Sequence, residues 1–166
     1  MNSHGARVEL KHSGLWFEEF EVGAVFITPA RTITEADNAI YCGLSGDYNP
    51  LHTDEEFAAG TQFGTRIAAG LLGRAVLSGL LTRLGILEGT VVANLELNSW
   101  RFTGPIKFGD TVHGEIRVAE KRLTSSGQRG VVTFEMSIKN QRDELVQQGV
   151  QKVMVLCTPA QEGDNS

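Results

Sequence analysis

The segment GLSGDYNPLHTDEEF, residues 43–57, gathers an aspartate, an asparagine and a histidine (Asp47, Asn49 and His52) around Pro50. A carboxylate and an imidazole are side chains that move protons near neutral pH, so their proximity suggests acid–base chemistry. A continuous helix over 47–52 is excluded, because proline lacks the amide donor, clashes with the preceding turn and disfavours helical geometry one residue earlier. The stretch is therefore irregular or a helix boundary, where the three side chains can turn toward one point. An Asx-type turn is the alternative: Asp47 and Asn49 would bond their own backbone while Gly46 supplies a permissive φ. The residues alone leave both readings open.

A metal site fits the pattern poorly, and none is expected. A calcium loop starting at Asp47 would need glycine sixth and glutamate twelfth, where His52 and Ala58 stand. Zinc would want further histidine or cysteine nearby, and the other histidines are scattered. Cys42 and Cys157 have no metal-type spacing and read as reduced thiols, without a disulfide. The net charge of −5, with no run of lysine and arginine, argues against nucleic-acid or polybasic membrane partners. The polar N-terminus lacks the apolar core of a signal peptide, and the apolar stretch Leu71–Leu81 is interrupted by Gly73, Arg74 and Gly79. A cytoplasmic protein is expected.

The chain of 166 residues suits one domain over 1–166, with polar and flexible ends at 1–13 and 158–166. Thr34 suits the N-cap of a helix through TEADNAIYCGLSG, with Asp37 in its first turn, Ala36, Ile40 and Leu44 on one face, and a stop at Gly43–Gly46. A short helix over DEEFAAG follows. Leu72, Val76, Leu80 and Leu84, at steps of four, predict a long and mostly buried helix. Beyond Val91 the period becomes two: Val112, Ile116 and Val118 oppose His113, Glu115 and Arg117, and Val132, Phe134, Met136 and Ile138 repeat the pattern. TSSGQRG and NQRDE provide turns, so the second half reads as an antiparallel meander ending in GVQKVMVLC. A strand in AVFITPARTI brings the count to about five. The order strand, helices, strands is α+β, and the helix near Leu71–Leu84 is the candidate cover for the apolar sheet face.

LSGDYNPLHTDEEFA, RIAAGLLGRAVLSGLL and WRFTGPIKFGDTV together resemble the MaoC-like dehydratase family of hot dog-fold proteins, which includes the (R)-specific enoyl-CoA hydratases. The likeness runs from FEEFEVGAVF to the last strand, and G-D-x-N-P-x-H is its specific part. The resemblance implies a curved antiparallel sheet wrapped around one central helix, and reversible addition of water to a trans-2-enoyl-CoA, giving an (R)-3-hydroxyacyl-CoA. It implies Asp47 and His52 as the catalytic pair, Asn49 as hydrogen-bonding support, and the Gly70 amide as oxyanion donor. Ser78 matches a substrate-binding serine of some relatives, with an ordinary helix-facing serine as the alternative. The partners implied are an acyl-CoA and a second copy of the chain, in a homodimer or larger oligomer. No cofactor is implied.

The chemistry suits these residue types: water must be deprotonated at Cβ, Cα protonated, and charge on the thioester oxygen stabilised. A helix start supplies unpaired amides and a favourable dipole, and glycine there lets a thioester approach closely or, alternatively, lets helix and sheet pack tightly. Ala69 departs from the family, which often has histidine before this glycine. An acyl-CoA thioesterase and a non-catalytic acyl-thioester binding protein are the rival functions. Trp100 and Phe102 are expected to pack the sheet and Asp110 to serve a turn. Lys107, Arg66 and Arg101 are cations that could meet CoA phosphates, with solvated surface charge as the alternative.

Overall fold

A computed structural model describes residues 14–159. The flexible ends expected over 1–13 and from 160 onward lie outside the described residues. Thr158 is described: its amide and hydroxyl donate to the Glu18 carboxylate at 2.9 and 3.0 Å.

After a 3₁₀ turn at Phe17–Glu19, the elements run β1 (Val25–Ile27), β2 (Arg31–Thr32), α1 (Glu35–Ser45), α2 (Pro50–Thr53), α3 (Glu55–Ala59), α4 (Gly70–Thr82), β3 (Val91–Phe102), β4 (Thr111–Leu123), β5 (Arg129–Lys139) and β6 (Leu145–Leu156). The sheet is antiparallel in the order β1-β4-β5-β6-β3, with β2 also on β4. Six strands stand where about five were expected, because AVFITPARTI forms two short strands separated at residues 28–30, where Pro29 cannot donate to a ladder.

α4 carries Leu72, Val76, Leu77, Leu80 and Leu81 into one core with Val112, Ile116 and Val118 of β4, Phe134, Met136 and Ile138 of β5, and Val153 and Val155 of β6. The expected periods of four and of two meet here: a helix stripe lies on the apolar face of a sheet. Leu84 falls just past the helix and packs on the core's margin.

α1 departs from expectation. Thr34 caps it, its hydroxyl accepting from the Asp37 amide while the Asp37 carboxylate accepts from the Thr34 amide, and Gly46 ends it in the left-handed conformation at φ 76°. But the buried positions are Asn38 and Cys42, whereas Ile40 and Leu44 are 72% and 87% exposed. Burial follows the polar Asn38 because its amide bridges two other segments, as described below. The β3 edge also keeps Leu95, Leu97 and Phe102 exposed, and its ladder to β6 is interrupted by three register shifts.

Candidate active site

Asp47 follows the left-handed Gly46 that ends α1, its amide donating to Ser45 Oγ at 3.2 Å. Asn49 then caps α2, Oδ1 accepting from the Leu51 amide at 3.0 Å, with Pro50 at the first helical position. There proline costs little, since its missing amide would have no intrahelical acceptor. The Asx geometry foreseen as an alternative is thus what Asn49 adopts, and Asp47 Oδ1 likewise accepts from the Asn49 amide at 3.5 Å, while its Oδ2 is the oxygen nearest His52. The motif caps and positions at once.

The His52 side chain is 11% exposed, and Nδ1 lies 2.9 Å from the Ile67 carbonyl. A carbonyl only accepts, so Nδ1 carries the hydrogen and, in the neutral ring, the lone pair sits on Nε2. Nε2 is 4.0 Å from Oδ2 of Asp47, whose side chain is 47% exposed. That separation exceeds a direct hydrogen bond, but a water at about 2.8 Å from each atom would span it. Solvent thus has access on the aspartate side while the imidazole is fixed from behind.

The Ile67 carbonyl is itself fixed: Ile67 donates to Leu51 O at 3.3 Å, pairs with Lys107 in an isolated bridge, and is followed by Ala68, which donates to Ile106 O at 2.8 Å. Asn38 completes the frame. It is 4% exposed; Nδ2 donates to the His52 carbonyl at 3.2 Å and Oδ1 accepts from the Ala69 amide at 3.0 Å. One side chain therefore ties the histidine segment to the start of α4. Nothing in its sequence neighbourhood marked Asn38; the available signal was a helix face whose apolar residues turn out to be exposed.

α4 begins at Gly70, capped by the backbone of Ala69 with no side-chain acceptor. A Cβ on Gly70 would lie 2.9 Å from Cε1 of Phe102, so a larger residue there would have to displace that exposed ring. Gly70 and His52 also line one cavity of about 520 Å³ with Phe63, Ile67, Phe102 and Gln147. First-turn amides lack helical acceptors and favour negative charge. The structure therefore sets Asp47 beside His52 and puts His52 and Gly70 on one cavity, which Asp47 and Asn49 do not line. Ser78 sits two turns further along, on a separate cavity of about 340 Å³ with Leu81, Asn94 and Gln151.

Of the three cations considered for phosphates, Arg66 is engaged by Glu35 at 2.7 Å and Glu55 at 2.9 Å and stacks on Phe108. Hydrogen bonding to Glu55 above all holds its guanidinium pKa above the ordinary value. Lys107 donates to the Phe63 carbonyl at 3.1 Å on the cavity wall, whereas Arg101 lies on a different cavity with Arg117 and Glu135. Asp110 serves the turn, accepting from the Lys107 amide and from Gln141 at 2.8 Å each. Trp100 is half-buried against the core margin, whereas Phe102 is 55% exposed.

The chain is 41% identical over 107 residues to 3-hydroxybutyryl-CoA dehydratase of Methylorubrum extorquens, covering 64% of this chain and 65% of that protein. It is 38% identical over 104 residues to the (R)-specific enoyl-CoA hydratase of Rhodospirillum rubrum, covering 62% and 69%. It spans 33% of Protein MaoC of Klebsiella aerogenes, with 38% identity over 114 residues. Among solved structures, an R-hydratase of Pseudomonas aeruginosa superposes with a TM-score of 0.71 at 32% identity, covering 87% of this chain and 88% of that one. A double hotdog protein of Mycobacterium tuberculosis does so with 0.79 at 25% identity, covering 90% and 46%. The fold is therefore a hot dog fold. With the MaoC-like domain model matching residues 19–140, the chain belongs to the MaoC-like dehydratase family.

Proposed function

We propose that the protein is a hydro-lyase, an enoyl-CoA hydratase acting in either direction, that adds water to a trans-2-enoyl-CoA to give an (R)-3-hydroxyacyl-CoA. The observation that carries this reading is His52 Nε2, left with its lone pair by the Nδ1 contact to Ile67, 4.0 Å from the Asp47 carboxylate. Both groups accept hydrogen bonds, so one water can donate to each. As its oxygen bonds to Cβ, a proton passes to the pair and the π electrons move onto the thioester oxygen. The Gly70 amide meets that charge, and return of a proton to Cα completes the addition. Water held on one side reaches one face of the alkene, which accounts for a single hand of product. The relatives named as dehydratase and (R)-specific hydratase support the same chemistry.

A homodimer belongs to this reading. The exposed leucines and unpaired outer edge of β3 suit pairing with a second copy. Light scattering at micromolar concentration should give at least twice the chain mass, as for a dimer or a larger oligomer, and a monomer mass would reject it. A cytoplasmic location also belongs to it, in keeping with the free thiols of Cys42 and Cys157. Among the described residues no helix is long and apolar enough to cross a membrane.

Incubation with crotonyl-CoA tests the function. Loss of the enoyl-thioester absorbance with the (R) product and no free thiol is expected; thiol release would make the protein a thioesterase, and inertness across chain lengths would reject catalysis.

A further inference from the structure

Gly70 carries the amide that meets the thioester oxygen in the proposed reaction, and glycine is the residue least able to hold its own backbone still. Its carbonyl accepts from Gln147 Nε2 at 2.8 Å. Gln147 lies on β6, is buried, and lines the cavity that holds His52 and Gly70. Its Oε1 accepts in turn from Trp100 Nε1 at 3.1 Å. An indole N–H only donates, so it fixes the direction of the Gln147 amide and turns the NH₂ end toward Gly70.

The backbone makes room for this chain of bonds. Between the pairs Asn98–Val150 and Arg101–Gln148, β3 sets Ser99 and Trp100 opposite the single Gly149 of β6, which is a β-bulge. Ser99 stands there at φ 51°, a left-handed conformation that residues with a side chain rarely take. A Cβ on Gly149 would collide with the Trp100 ring and lie 3.0 Å from its Cα, and a Cβ on Gly73 of α4 would collide with Gln147 Nε2. The Arg74 guanidinium, 5.2 Å from the Trp100 ring centroid and bonded to Gln151, braces the indole. Packing alone would not need this arrangement: apolar residues in place of both hydrogen-bonding partners would fill the same layer, and bulges and strained backbone are devices that re-aim side chains near functional sites.

The start of α4 needs such a tie. It has no side-chain cap, and helix ends fray. The Ala69 carbonyl accepts from the Leu72 amide at 3.0 Å, so the peptide that bears the Gly70 N–H moves with the first turn. Asn38 holds that turn from α1 through the Ala69 amide, and Gln147 holds it from the sheet through the Gly70 carbonyl. We propose that Gln147, itself aligned by Trp100, is a positioning residue that keeps the Gly70 N–H aimed at the thioester oxygen. This rests on the thioester seat of the proposed function and adds to it the group that fixes its direction.

Butyryl-CoA labelled with ¹³C at the thioester carbon, bound to the intact protein and followed by infrared difference spectroscopy, reads the Gly70 contact directly, because an aligned donor lowers the carbonyl stretch. The unaltered protein should lower the stretch relative to free butyryl-CoA. Gln147→Met, which keeps the length of the side chain and removes both hydrogen bonds, should return most of that shift. It should also cut kcat for crotonyl-CoA about ten- to a hundredfold with KM within about threefold. Trp100→Phe removes only the indole donor and should act in the same direction, lowering kcat about three- to tenfold. A stretch lowered as far in either variant as in the unaltered protein, or a loss confined to KM, would overturn the proposal, leaving Gln147 a packing residue and the seat intact. If Gln147→Met does not fold, Trp100→Phe, whose ring still fills the space, decides by the same readings. No lowering in the unaltered protein, or no binding of butyryl-CoA, would sink the Gly70 seat and the proposal with it. A stretch that depends on Gln147 without hydration of crotonyl-CoA would keep the positioning role and sink the hydratase reading.

Discussion

Residues 47–53 and α4 furnish the two sides of the candidate site by different means. The first holds Asp47, Asn49 and His52 through caps and side-chain-to-backbone hydrogen bonds, and α2 buries none of its residues. The second places Gly70 on a helix that supplies Leu72, Val76, Leu77, Leu80 and Leu81 to the core. The short segment is therefore positioned by individual polar contacts, each removable by one substitution. The helix is positioned by packing spread over many residues, and Asn38 joins the two.

The largest effect should come from the polar side. Asp47→Asn and His52→Ala should each lower kcat/KM about 10²–10⁴-fold, with the double variant losing little more, because groups sharing one water act as a unit. Losses that multiply in the double variant, or full activity in folded Asp47→Asn, would break the shared-water geometry. Kinetics on protein with an unchanged denaturation midpoint gives the answer.

On the helix side the test must remove an amide without disturbing packing. In a Phe102→Ala background, which clears the ring from the Gly70 position, Gly70→Ala should retain activity. Gly70→Pro should cut kcat about 10²–10³-fold while α4 persists, since proline is tolerated at a first helical residue and Ala69 already has φ −55° and ψ 135°. Equal kcat in the two variants would remove the oxyanion role.

Asn38→Ala tests the joint. It leaves the Ala69 amide and the His52 carbonyl without their partner and should lower stability by about 1–3 kcal/mol. It should also lower kcat in the molecules that remain folded, because both sides of the site lose their common tie. Loss of stability with normal kcat would make Asn38 purely structural. Denaturant titration and single-turnover kinetics separate these outcomes.

The smallest effect belongs to the far end of α1. Thr34→Ala should cost about 0.5–2 kcal/mol and leave kcat unchanged. Burial tends to raise the pKa of Asp37, but hydrogen bonds from the Thr34 amide and hydroxyl, with Arg31, hold it lower overall. A carboxyl whose pKa is lowered in the folded state contributes its stability above the ordinary value and loses it as pH falls through the folded value. The stability gap between the parent and Asp37→Asn should therefore shrink below about pH 4. A gap independent of pH would show that the Asp37 charge contributes nothing.

Much of this architecture was legible because burial leaves a period. Leu72, Val76 and Leu80 announced α4, and Val132, Phe134, Met136 and Ile138 announced β5, since each set has one apolar environment to face. Pro50 told that 47–52 could not be one helix, and the composite motif brought Asp47, Asn49, His52 and Gly70 together by resemblance. Local rules failed where partners lie far apart in sequence. Ile40 and Leu44 are spaced like a core face but are exposed, whereas Asn38 is buried because its amide meets His52 and Ala69, 14 and 31 residues away. The hydrogen on His52 Nδ1 depends on a carbonyl 15 residues on, and the partners of Arg74, Trp100 and Gln151, come from β3 and β6. Capping, turn and helix signals act over a few residues and can be read along the chain. The tautomer of a histidine, the partner of an amide and the neighbours of a half-buried guanidinium are set by distances through space, which tertiary packing alone decides.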